Sequence, residues 1–540
     1  MATQAEMLSL ANKLSMDIPE DEIADYETFL LRTEKTIQAI EAMEGKAEIS
    51  PAFSTANYQP EPDTTKHPRR NIRFPKPEDN TLGAWAWRFE LSSDSPNLNI
   101  LKGKTVCLKD NICVAGVPCL LGTDTFRDWV PHTDATVVSR IIDAGGVITG
   151  KAVCENLSRG AVSATAATGP VHNPYARGYS VGGSSSGTAA IVASGGADMG
   201  IGCDQGGSIR IPAALTGLYG FKPTTGLVPY TGIASNDASL DYVGPIANSL
   251  LDTACLLEAI AGADGLDDRS GPGIPLPRDV PPYSDVLKQG DFSLQGLRIG
   301  VLREGMPTEI NPDVLTKFRD AVNSFEKFGA QVRDISIPLH SHAQSLYSVL
   351  SKMGNHMGMM GQATGRRQVM LTDLFEKKGL PYTSEAVSKM SVMCKEGLLS
   401  GEFAWKHHST VYPKAVNILR KLKDKYDEKF SSVDVIVMPT TLSCASRLPS
   451  ADATPIVQLE AAQGMINNTC AFNATGHPAL AIPIGFVPAQ ENPSVKLPTS
   501  MQIVGKWHDE LRILQVAYAW EQSVKDDLVM SKIEMEMRGP

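Results

Sequence analysis

The chain has 540 residues, 42% of them hydrophobic and 20% charged, with a formal net charge of -10, a pI near 5.6 and a mean hydropathy of -0.12. This is the composition of a globular protein and not of a disordered or fibrous one, and the length allows one large domain or two to three of ordinary size. Its acidic balance offers no electrostatic footprint for phosphate backbones or anionic lipid, so neither nucleic acid nor a membrane is an expected partner. No stretch approaches the roughly 18–20 unbroken apolar residues of a membrane span. Met1 to Met16 lack the basic and then apolar pattern of a secretory signal. Nine cysteines without a CxxC pair read as reduced thiols, and the expected address is cytoplasmic.

In chain order, Ile23, Tyr26, Leu30, Thr33, Ile37 and Ile40 recur at spacings of three and four, which predicts a helix with one mostly apolar face. Such a stripe packs equally well on its own domain or against a second copy of the chain. From about residue 45 to 80, Pro, Thr, Asn and charge dominate, as in Gln59-Pro60-Glu61-Pro62-Asp63. That texture predicts a connecting segment. The chain then divides into a helical N-terminal extension and linker over 1–70 and a second unit over 71–540.

From about Leu101, short apolar runs separated by Gly and Asp/Asn turns alternate with Ala-rich stretches, an α/β texture. Residues 105–108 and 146–150 read as strands, and 134–144 as a helix capped by Asp134. Residues from about 266 to 432 are more charged and mostly helical in pattern. They predict a helical insertion covering one side of the sheet, after which 433–439 returns to a buried strand. No internal repeat of 20–50 residues is present.

Two Gly/Ser-rich turns carry the chemistry. In the first, Gly182-Gly183-Ser184-Ser185-Ser186-Gly187 runs into a small-residue helix, whose N-terminal amides have no partner within the helix and suit an anion or oxyanion. Read alone, it equally suits a packing turn or a flexible link. In the second, a strand over 198–203 leads into Asp204-Gln205-Gly206-Gly207-Ser208, and Ile209-Arg210-Ile211-Pro212 starts a helix. Two glycines before a serine let consecutive N–H groups point into one concavity beside a hydroxyl, the requirement of a tetrahedral oxyanion. A serine N-cap after a glycine turn reads the same way.

A serine nucleophile needs a base, and none of His132, His172 or His477 stands in a triad context; there is neither a GxSxG elbow nor an HExxH. His340-x-His342 and His407-His408 lack accompanying metal-ligand spacing. Lys109, at the end of the strand over 105–108, is the alternative base. A lysine serves so only uncharged, as burial favours; the competing reading is a surface lysine paired with Asp110.

Taken together, Cys107-Leu108-Lys109-Asp110-Asn111, Gly169-Pro170-Val171-His172-Asn173-Pro174, the two turns, Gly220-Phe221-Lys222-Pro223-Thr224 and Asn473-Ala474-Thr475-Gly476-His477-Pro478 resemble the amidase signature hydrolases. The spacing agrees, with Ser184 lying 75 positions after Lys109 and 24 before Ser208. The resemblance implies a mixed central sheet covered by helices on both faces. It also implies a triad of Ser208 as nucleophile, Ser184 as bridging serine in a cis peptide bond, and Lys109 as base, with no metal or organic cofactor. The N–H groups of Gln205, Gly206, Gly207 and Ser208 would hold the oxyanion. Leu157, Ser158 and Leu240 are candidate pocket walls.

Where many members carry Thr-Gly-Gly-Ser, this chain has Gln205-Gly206-Gly207-Ser208. With the helical extension, it looks like the broad-range amidases of nitrile-degrading pathways, which implies a homodimer. The expected substrates are small to medium uncharged carboxamides, with alkyl carbamates, the substrates of a urethanase, as runner-up. The amidase component of the tRNA-dependent amidotransferase shares the triad but lacks the extension. An inactive interaction protein would show a broken triad, and a membrane lipid-amide hydrolase would show a membrane-inserting helix.

Overall fold

The computed structural model describes residues 3–44, 67–126, 128–290, 293–362, 364–378, 382–462 and 464–524. Two compact units, Met1–Glu61 and Pro62–Pro540, make up the chain. The first holds helix Gln4–Lys13, whose N-cap Thr3 accepts the Glu6 N–H, and helix Ile23–Glu44, which carries the predicted stripe. Ile37 and Ile40 of that stripe are 50% and 57% exposed. Most of the segment read as a linker, residues 45–66, lies outside the described residues; its later part supplies an edge strand, Arg70–Arg73.

The second unit is built on a mixed sheet of twelve strands among the described residues. From one edge to the other they are Arg70–Arg73, Trp85–Leu91, Val147–Ala152, Thr105–Lys109, Met199–Asp204, Tyr242–Ala247, Tyr219–Lys222, Ala479–Ala489, Asn492–Val504, Val435–Pro439, Arg298–Leu302 and Gln331–Ile335. Thr105–Lys109 runs parallel to both of its neighbours, as does Arg298–Leu302. Strand alternation feeds two cores. Val106, Leu108, Met199, Ile201, Val435 and Val437 join one core with helical Val138, Ile141, Leu256 and Phe318. Cys107 turns to the other face, among helical Ala189, Ala190 and Ile191, and Ile436 and Met438 meet Leu350 and Leu419 there. Helices therefore cover both faces.

Two expectations are corrected. The stretch from 266 to 432 is not purely helical, because Arg298–Leu302 and Gln331–Ile335 close one edge of the sheet as a parallel pair. Five-residue strands between long charged helices leave little trace in a window dominated by helical periodicity. Asp134 does not cap a helix: helix Thr136–Asp143 starts after Ala135 without a side-chain cap. The Asp134 carboxylate pairs instead with Arg69 and accepts the Ala115 N–H at 2.8 Å. Among the described residues, no helix is long and apolar enough to cross a membrane.

Candidate active site

Lys109 is the last residue of a central strand and points to the same face as Cys107, into packed protein; it is 1% exposed. Its Nζ lies 2.7 Å from Ser184 Oγ and donates to the Cys203 carbonyl at 3.3 Å. The reading of a surface lysine paired with Asp110 fails on both counts, because Lys109 is buried and the Asp110 carboxylate meets Lys151 at 3.0 Å.

Ser184 follows a cis peptide bond from Gly183 and is 1% exposed. The helix that follows it, Ser186–Ala193, starts tight against the segment around Ala84: a Cβ on Gly187 would stand 2.3 Å from the Ala84 carbonyl oxygen. Ser185 joins the two turns, since its Oγ donates to the Cys203 carbonyl and accepts the Cys203 N–H. The strand carrying Cys203 thereby holds Lys109 and the first turn, then leads directly into the second.

The second turn is organised around Asp204. Its carboxylate accepts N–H groups from Gly207 at 2.6 Å and Ile209 at 3.1 Å, Nε and Nη2 of Arg210 at 3.0 Å each, and Asn473 Nδ2 at 2.8 Å. Arg210 completes its own set on the Thr469 carbonyl, Gln502 Oε1 and Asn473 Oδ1. Asp204 and Arg210 are fully buried. Burial pushes the Asp204 carboxyl up, but the charge and hydrogen bonds of Arg210 outweigh it and hold the group at about 2. Both glycines sit in close quarters: a Cβ on Gly206 would stand 2.4 Å from the Tyr347 hydroxyl and displace it, and Gly207, at φ +138°, would put a Cβ 2.4 Å from Thr469 Oγ1.

Because the Gly207 N–H is spent on Asp204, it is not free for an oxyanion. The expected set of four amides shrinks to those of Gln205, Gly206 and Ser208. These three residues line one cavity of about 470 Å³. Ser158 lines it as expected. Leu157 does not: its backbone turns at φ +50° and sends the side chain into a core with Phe126, Trp129 and Met390. Leu240 does not either, being buried with Leu302, Ile436 and Phe472.

Apart from Ile211 of the second turn, the rest of the cavity comes from residues no motif marks. Arg159 follows Ser158, Tyr347 and Asn355 come from helix Ala343–Met359, and Met393 from helix Val392–His408. No histidine lines it. His477 is buried between Thr475 and Asp427, and His340 against Tyr426, where burial pushes its pKa down to about 4. No group of three or more His, Cys, Asp or Glu able to hold a metal occurs among the described residues. Near the first turn, Glu155 is fully buried, donates its N–H to the Ser184 carbonyl at 3.2 Å and accepts Thr165 Oγ1–H at 2.6 Å. Burial pushes its carboxyl up to about 7.

A buried amine touching one hydroxyl, and a second hydroxyl at the head of a glycine turn in a cavity, are the equipment of acyl transfer. Comparison with known proteins points the same way. Residues 82–514 match the family model described as Amidase. The enantioselective amidase of Rhodococcus rhodochrous is 35% identical over 469 residues, covering 85% of this chain and 86% of that protein. Among solved structures, the native peptide amidase from Stenotrophomonas maltophilia aligns with a TM-score of 0.61 at 27% identity, over 79% of this chain and 83% of that one. A third relative, the A-type subunit of the glutamyl-tRNA(Gln) amidotransferase of Caldanaerobacter subterraneus subsp. tengcongensis, is 32% identical, over 79% of this chain and 84% of its own. The matched residues cover every strand of the central sheet but the edge strand Arg70–Arg73, together with Lys109 and both turns, and the chain belongs to the amidase signature family of hydrolases.

Proposed function

We propose that the chain hydrolyses the C–N bond of small to medium uncharged carboxamides through an acyl-enzyme on Ser208. One observation carries the reading: the buried contact of 2.7 Å between Lys109 Nζ and Ser184 Oγ, beside the turn that ends in Ser208. Ser208 Oγ attacks the carbonyl carbon while its proton passes through the Ser184 hydroxyl to the amine of Lys109. The N–H groups of Gln205, Gly206 and Ser208 receive the negative oxygen. The C–N bond then breaks as Ser184 returns a proton to the leaving nitrogen. Water attacks the acyl-enzyme by the same relay, releasing the carboxylic acid and restoring Ser208.

The relay needs Lys109 as a free amine. Lys109 is buried, contacts one hydroxyl and one carbonyl, and does not pair with Asp110, whose carboxylate is engaged by Lys151. The cavity volume of about 470 Å³ suits a small or medium substrate. All nine cysteines are free, consistent with work in the reducing cytoplasm. Helix Ile23–Glu44, with Ile37 and Ile40 of its stripe exposed, supplies the seam of a homodimer; light scattering that finds a monomer would remove that part of the reading.

The test is a panel of amides and alkyl carbamates on the wild type and on Ser208→Ala. Amides should yield carboxylic acid with ammonia or amine, and Ser208→Ala should be inert. Turnover of carbamates alone, to alcohol, carbon dioxide and ammonia, would move the substrate class. Turnover only with added partner proteins would favour an amidotransferase component, and normal activity in Ser208→Ala would refute the mechanism.

A further inference from the structure

Tyr347 lies on helix Ala343–Met359 and lines the same cavity as Gln205, Gly206 and Ser208. Its ring is packed in a core with Leu240, Leu350 and Phe472, and 8% of the residue is exposed. The polar end meets the second turn. Of the atoms around a Cβ on Gly206, the Tyr347 hydroxyl oxygen would be the nearest at 2.4 Å, followed by Cζ at 2.8 Å and Cε1 at 3.4 Å. The ring therefore approaches the turn end on, hydroxyl first, and standard bond lengths put that oxygen within about 4 Å of the Gly206 Cα.

The hydrogen bonds behind the hydroxyl run in one direction. Asn355 Nδ2 donates to the Ser351 hydroxyl oxygen at 2.9 Å. Ser351 in turn bonds the Tyr347 oxygen in the sense that pulls the phenol pKa down, which is the sense of a donor. The three residues stand four apart on one helix face and line the cavity together. At the end of the chain stands the Tyr347 O–H, and no bond that it donates occurs among the described residues. Burial outweighs Ser351 and raises the phenol above its ordinary value, so it keeps its proton at any working pH.

The turn has use for such a donor. A tetrahedral oxyanion is stabilised by preorganised donors aimed at it, and a tyrosine hydroxyl serves in this role as a backbone amide does. The Gly207 N–H is spent on Asp204, while the Tyr347 hydroxyl stands beside Gly206 on a ring that the core holds in place. We propose that Tyr347 is a catalytic residue, its hydroxyl donating a hydrogen bond to the substrate carbonyl oxygen as that atom becomes the oxyanion, alongside the amides of Gln205, Gly206 and Ser208. The proton stays on the tyrosine throughout, so the relay through Ser184 to Lys109 is unchanged. The inference rests on the acyl-enzyme mechanism proposed above and adds one donor to it.

The experiment compares wild type with Tyr347→Phe, which removes the hydroxyl and keeps the ring, on a primary amide and on the p-nitrophenyl ester of the same acid. On the amide, kcat should fall by roughly 10²- to 10³-fold, the loss expected for one oxyanion donor, while KM changes by less than about threefold. On the ester, kcat/KM should fall by at least about tenfold, because attack on it passes through the same oxyanion although its leaving group needs no proton. An alkyl boronic acid, which forms a tetrahedral adduct with a serine, should bind the variant at least about tenfold more weakly. KM and the inhibition constant do not depend on the amount of folded enzyme, so they stand even where part of the variant misfolds. The inference is overturned by a kcat within about threefold of wild type or a loss carried by KM alone. A loss on the amide that spares the ester would mark a donor to the leaving nitrogen, and an unmoved boronic acid constant would mark a structural role; either would overturn it too. A wild type that turns over neither amide nor ester would instead sink the parent reading.

Discussion

Two sides of the same cavity are built on opposite rules. Beneath the Ser208 turn, Asp204, Arg210, Asn473 and Gln502 form a buried network in which every side-chain nitrogen and oxygen is partnered. On the side lined by Ser158 and Arg159 and by helix Ala343–Met359, Arg159 Nη1 and Asn355 Oδ1 are buried without partners, as is Oε1 of Glu155, close by in sequence. The difference teaches where to look for each task. Saturated networks hold a geometry fixed and have nothing left to offer a ligand. Buried polar atoms left without partners cost stability instead.

The largest effect that tests this contrast belongs to the relay. Lys109→Met keeps the volume of the side chain and removes the amine, so kcat should fall by roughly 10²- to 10⁴-fold in steady-state kinetics with the fold retained by circular dichroism. A fall below tenfold would mean that another group takes the proton. Next comes Arg210→Met, which strands the Asp204 carboxylate. Removing one partner of a buried pair costs about 3–5 kcal/mol, read as a lower denaturant midpoint at unchanged m-value. Since Asp204 is held down at about 2, the stability it contributes is present above the ordinary carboxylate range and is lost only as pH falls through about 2. The variant should forfeit that contribution at neutral pH.

Much of the saturated side is legible in the sequence, because its chemistry lies in short contiguous strings. Gly206-Gly207-Ser208 and Gly182-Gly183-Ser184 announce turns where the backbone runs close to its neighbours, and the spacing to Lys109 ties them to a third segment. The unsaturated side is not. Tyr347 and Asn355 read as ordinary helix positions, and they reach the cavity only because the chain returns after more than a hundred residues. Leu157 and Ser158 both read as walls, yet a backbone turn at φ +50° decides that only the serine reaches the cavity. Gly207 reads as an oxyanion donor with its neighbours, and only the position of Asp204 shows that its N–H is already used. Asp134 stands where a cap belongs, and Arg69, far away in sequence, claims it. Two of these misses, Asp134 and the helix that carries Tyr347 and Asn355, come from long-range partners, and two, Leu157 and Gly207, from local backbone geometry that residue types alone do not specify.

The smallest expected effect sharpens the contrast from the unsaturated side. Burial raises the Glu155 carboxyl to about 7. Its stabilising contribution is therefore complete below the ordinary glutamate value of about 4.5 and is lost as pH rises through about 7. Glu155→Gln carries no such dependence. The difference in Tm between variant and wild type should move in favour of the variant between pH 5 and pH 8, and a constant difference would show that Glu155 titrates normally.

The most direct measurement of the central claim is mass spectrometry of the protein quenched during turnover of a primary amide. The account predicts an added mass equal to the acyl group, located on the peptide containing Ser208 and absent from Ser208→Ala. Steady turnover with no adduct on that peptide, continuing undiminished in Ser208→Ala, would contradict it.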